Sequence, residues 1–143
     1  MDGLSAAASV IAVVQIASQV FDLCRTYYIN VKHARRDIER LRSEITSLQD
    51  VLSNIIDLAD DPGSSQPRIL GLLNQEHGPI QQCQQELADL AVRLELQEDK
   101  SRMRQFGIRA LKWPLSVKEV DDVLDAIGRH KASFTLALAT DQG

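Results

Sequence analysis

Two cysteines, three histidines and paired carboxylates such as Asp60-Asp61 and Asp121-Asp122 are the residues of this 143-residue chain from which a reactive centre would have to be built. Cys24 and Cys83 stand far apart, each without a second thiol or a usefully spaced histidine. They read as reduced, buried thiols of a cytosolic protein, not as a disulfide or a metal pair. His33, His77 and His130 sit in polar contexts, and none has the spacing typical of a metal site. Asp60 and Asp61 precede Pro62 in a loop, whereas Asp121 and Asp122 fall in the first turns of the last helix. There they complement the positive end of the helix dipole, a structural role that needs no catalysis. A di-iron bundle would require Glu-x-x-His pairs on facing helices, and the sequence has none. A glycine-rich phosphate loop and a nucleophile elbow are also missing. The expectation is a non-enzymatic protein with no cofactor, no metal and no small-molecule substrate.

The elements that would carry these residues are helical throughout. Apolar content is 44%, but aromatics are only 4%, so the interior must be built from Ala, Leu, Ile and Val. Such a composition suits helix-on-helix packing better than sheet-on-sheet packing. From Gly3 to Phe21 nineteen residues pass without a charge. As a helix they would span roughly 28 Å, close to the hydrocarbon thickness of a bilayer. Gln15 and Gln19 temper that reading, because a dedicated anchor rarely carries two glutamines near its middle. The first helix is therefore expected to be the central helix of a bundle at rest, covered by the others.

A second helix is expected from the heptad series Ile38, Leu41, Ile45, Leu48, Leu52, Ile55 and Ala59, stopping at Asp60-Asp61-Pro62-Gly63. Pro67 opens a third apolar stripe that runs through Ile69, Leu72, Leu73, Ile80, Cys83, Leu87, Leu90 and Leu94. Gly78-Pro79 interrupts it, which predicts one bent helix or two nearly collinear pieces. A short helix follows over about Ser101–Lys112 and ends at Trp113-Pro114. Ser116 and Glu119 then form a capping box for the last helix. Its seam is Val117, Val120, Leu124, Ile127, Lys131, Phe134 and Leu138. Lys131 is the polar member, expected to snorkel from the seam's edge to water, with a buried ion pair as the alternative. The fold class is all-α, a four- to five-helix bundle with a long apolar N-terminal helix and short connections.

Net charge is −4, which argues against bulk nucleic-acid binding, so no nucleic-acid partner is expected, yet the charges fall in blocks. Lys100 to Lys118 carries six basic residues and no acid. Lys100, Arg102, Arg104, Arg109 and Lys112 lie beside Met103, Phe106, Leu111 and Trp113. A basic amphipathic segment with an interfacial tryptophan is one that anionic lipid can dock. The alternative is a connecting helix whose apolar side, Trp113 included, closes the end of the bundle.

The order of motifs resembles a known grouping. Met1-Asp2-Gly3-Leu4-Ser5, Ala8-Ser9-Val10-Ile11-Ala12-Val13 and Gln15 are similar to the opening of the N-terminal domain of fungal NLR-type (STAND) receptors, which includes HeLo-like cell-death domains. Farther along, Ala110-Leu111-Lys112-Trp113-Pro114-Leu115, Lys118-Glu119-Val120, Arg129-His130-Lys131 and Leu136-Ala137-Leu138 agree with it in the same order. The resemblance spans nearly the whole chain. It implies a single HeLo-like domain over 1–143 at the head of a larger protein. Such bundles are similar to those of plant coiled-coil resistance proteins and of the necroptosis pseudokinase.

Function follows from that resemblance as an expectation. The domain would signal or execute in fungal innate immunity or heterokaryon incompatibility, forming homo-oligomers on activation. It would be cytoplasmic at rest and would reach anionic lipids of the plasma membrane through its N-terminal helix. The inserting residues would be Gly3, Leu4, Ala7, Ala8, Val10, Ile11, Val13, Val14, Ile16, Ala17, Val20 and Phe21. In place of the regularly spaced glycines of the stronger cell-death members, this helix has Gly3 alone and small residues four apart, as in Gly3-Ala7 and Ala8-Ala12. The alternative function is a protein-interaction adaptor that contacts other domains of its own or a partner receptor and never touches lipid.

Overall fold

The computed structural model describes residues 2–59, 78–103 and 112–142. Four helices account for nearly all of them: α1 (Asp2–Asn30), α2 (Arg35–Ala59), α3 (Pro79–Met103) and α4 (Val117–Gln142). Strands are absent among the described residues. The all-α class and the long apolar first helix stand as the sequence predicts.

Each boundary has a local cause. The amide of Val31 donates to the Tyr27 carbonyl at 2.8 Å, and the Asn30 side chain donates to the Thr26 carbonyl at 2.7 Å. These bonds satisfy carbonyls that the last turn of α1 would leave without partners. Only four residues then separate α1 from α2, so the two helices fold back as an antiparallel hairpin. In α3, Pro79 occupies the first helical position, where a missing N–H costs nothing, and the Gly78 carbonyl accepts from Gln82 at 3.0 Å. Pro79 is thus a helix start. The expected stripe at 67–77 that would have preceded it lies outside the described residues. Of the short helix expected over about Ser101–Lys112, residues 101–103 belong to α3, where neither glycine nor proline intervenes, and residues 104–111 lie outside the described residues. The capping box is formed as expected: the Glu119 amide donates to Ser116 Oγ at 3.1 Å, and the Ser116 amide donates to Glu119 Oε1 at 3.4 Å.

The core is one continuous seam. Ile38, Leu41, Ile45, Leu48, Leu52 and Ile55 of α2 are all fully buried, as the heptad series predicts. They meet a matching stripe on α1, formed by Val10, Val13, Ala17, Val20, Cys24 and Tyr27 at alternating spacings of three and four. Ile80, Cys83, Leu87, Leu90 and Leu94 of α3 close on the other side of α1. α4 rests mainly on α2 and meets α3 far less. Its buried positions are Val120, Ile127, His130 and Phe134. Val117, expected on the seam, is instead 63% exposed, since Trp113 and Leu115 fill that end of the bundle before the helix begins.

Candidate functional site

α1 has two faces, and its apolar composition conceals them. Over Ala8–Asn30 it is long and apolar enough to cross a membrane, but only a third of its most apolar window is buried. It is therefore not covered on all sides, as had been expected of a central helix. Of the residues expected to insert, Val10, Val13, Ala17 and Val20 are buried, while Val14, Ile16 and Phe21 are half-buried. Ala8 and Ile11 are exposed, and the side chains of Gly3, Leu4 and Ala7 lie outside the described residues.

The outward face carries Gln15, Ser18, Gln19, Asp22 and Arg25. The two glutamines that weaken a membrane reading thus lie outward, and Gln19 ties helices together. Its amide donates to Glu95 of α3, while Gln49 of α2 donates to Ser18 Oγ at 3.0 Å. Beside them a shallow groove of about 470 Å³ runs between the polar face of α1 and Glu95.

Aromatic rings fix the charged corner where α1 turns into α2. The Arg42 guanidinium lies 4.8 Å from the centre of the Phe21 ring and 5.5 Å from that of Tyr28. Arg35 lies 5.4 Å from the Tyr28 ring. Each contact draws the cation toward the electron-rich ring face. Arg40 bridges to Asp37 at 3.4 Å and to Asp121 of α4 at 3.1 Å. Much of the basic block between Arg25 and Arg42 is therefore occupied within the fold.

Of the expected lipid-facing basic patch, Arg104 and Arg109 lie outside the described residues, as do the side chains of Lys100 and Arg102. Lys112 is exposed. Trp113 is only 8% exposed, its ring set edge-on to Tyr27 at 5.2 Å and 79°. Its indole closes the end of the bundle and does not present itself at the surface.

The second feature is the cleft left where α3 and α4 part. It encloses about 280 Å³ over an apolar floor that includes Cys83, Leu87, Leu90 and Ile127. Leu115 closes one end. Across that end Arg93 of α3 pairs with Glu119 and donates to the Pro114 carbonyl at 3.4 Å. Arg93's guanidinium, followed by hydrogen bonds from Ser116, holds the Glu119 carboxyl below its usual range. At the other end His130 Nε2 lies 2.6 Å from Glu86 Oε2, with the carboxylate accepting, and the imidazole stacks on Phe134 at 6.3 Å. Burial pushes the Cys83 thiol up to about 12, with Glu86 adding to the effect, so it is an inert thiol at neutral pH. Both cysteines are free and buried, as expected.

Two readings of α4 change here. Lys131 does not snorkel: its ammonium pairs with Glu44 and donates to Ser47 Oγ at 3.1 Å, so the ion-pair alternative holds. His130 was missed as a seam residue. The signal was present, since it lies three residues after Ile127 and four before Phe134. Among the described residues, no three His, Cys, Asp or Glu side chains gather as a metal site would require.

Compared with known families, residues 1–142 match the model described as pigment biosynthesis cluster protein PigL N-terminal. No curated protein matches the chain, and no solved structure does.

Proposed function

The chain belongs to the PigL N-terminal family, and on that premise we propose that it is a non-enzymatic signalling or effector domain at the head of a larger protein. The finer reading is a HeLo-like bundle of the fungal NLR or STAND type, cytoplasmic at rest. On activation it forms homo-oligomers and reaches the plasma membrane through α1.

One observation carries this reading. α1 combines nineteen uncharged residues with a buried apolar stripe along Val10, Val13, Ala17 and Val20. Releasing it would expose several large side chains, at roughly 1.5–3 kcal/mol each. The resting bundle therefore stays closed until oligomerisation or lipid offsets that cost.

Ile11 supplies the test. It is 44% exposed, so Ile11→Glu leaves the resting core intact while placing a charge in the inserting stretch. Wild type is expected to release dye from anionic liposomes, and the Ile11→Glu protein to release about tenfold less with the same melting midpoint. Equal release by the two proteins sinks the proposal. The adaptor reading is favoured by a different feature, the open α3–α4 cleft.

A further inference from the structure

The α3–α4 cleft is a gap in an otherwise continuous core. A closed four-helix bundle would fill it with side chains from both helices. Here Cys83, Leu87, Leu90 and Ile127 lie buried at the back of the cleft, and the half-buried Val123 and Ala126 form the apolar wall nearer its mouth. At about 280 Å³ it lies just below the range of drug-sized ligand pockets, roughly 300–1,000 Å³. It is large enough for apolar side chains to enter from above.

The rim adds a sign. Asp89, with Glu86 in its bond to His130, stands along the α3 side, and Asp122 stands along the α4 side. The one guanidinium there, Arg93, is engaged by Glu119 and the Pro114 carbonyl. An apolar trough flanked by carboxylates on both edges repels anionic lipid. It complements an apolar stripe bordered on each side by cations.

The geometry points to the α3–α4 cleft as a docking groove for a basic amphipathic helix of another protein, seated by apolar side chains against Val123 and Ala126 and flanked by lysines or arginines. This is the helix-in-groove mode, in which anchors spaced three and four residues apart fill the trough and the polar flanks set orientation. Ala126, half-buried on the cleft wall, is where filling the trough changes no charge. The inference does not rest on the membrane reading, because a protein that never releases liposome dye can still bind such a helix.

The test uses the full chain and a fluorescein-labelled leucine/lysine amphipathic peptide, read by fluorescence anisotropy. Saturable one-to-one binding is expected, with the leucine/glutamate counterpart about tenfold weaker. Ala126→Phe and Asp122→Lys are each expected to weaken the lysine peptide about tenfold while leaving the melting midpoint near that of wild type. If Ala126→Phe disturbs the fold, Asp122→Lys, at an exposed position, decides alone. Three results overturn the proposal: no saturable binding, equal binding of the two peptides, or binding that neither folded variant weakens. The last would reduce the interaction to general attraction toward an acidic protein.

Discussion

Tyr27 of α1 donates its phenolic hydrogen to the Leu94 carbonyl of α3 at 2.6 Å, within the buried core. Its ring also meets Trp113, so one side chain joins α1, α3 and the approach to α4. Buried hydroxyls are costly without a partner, and here the partner is a helix backbone. Tyr27→Phe keeps the ring and loses the bond. The expected cost is about 1 kcal/mol, or a midpoint lowered by about 3 °C in a thermal melt followed by circular dichroism. An unchanged midpoint would mean that the hydroxyl contributes nothing net.

Lys131 and Glu44 form a second cross-helix link, with about a quarter of each side chain exposed. Such a pair sits between the weak surface case and the costly buried one. In a double-mutant cycle of Lys131→Met and Glu44→Gln, the coupling is expected to be about 1 kcal/mol by urea denaturation. Zero coupling would return Lys131 to the solvent-seeking role.

Glu119 gives the domain a pH signature. Its folded pKa is depressed, so its contribution is complete above the unfolded value near about 4.3. That contribution disappears as the pH falls through the lower folded value. Glu119→Gln can still cap Ser116 but loses the charge opposite Arg93. The wild type is expected to melt above this variant at neutral pH, and the gap to close on acidification below the carboxylate range. A gap that persists in acid would assign the difference to packing.

The heptads of α2 and the capping box of α4 were legible because each rests on local chemistry. Spacing alone puts Ile38 through Ile55 on one face, and Ser116 with Glu119 needs only its own turn. The stripe on α1 was harder to read. Alanines and valines on every side hid the three-four series from Val10 to Tyr27, and only packing against α2 and α3 chose the buried face. His130 and Lys131 compete for one seam position, and the choice depends on Glu86 and Glu44, which come from two other helices. Trp113 faced the same ambiguity: beside lysines and arginines it resembles a lipid anchor until Tyr27 is placed next to it. The cleft was not legible at all, because a gap between helices leaves no residue pattern.

The uneven fastening of α4 also determines how the domain would yield to denaturant or force. α1, α2 and α3 share a seam that runs along both sides of α1, whereas α4 is held chiefly along one flank. Loss of structure is therefore expected to begin with α4 lifting from α2, taking Phe134 and Ile127 with it. The remaining three helices keep their shared interior through that step. Mechanically, the described helices would act as three staves sharing one interior and a fourth that unlatches first.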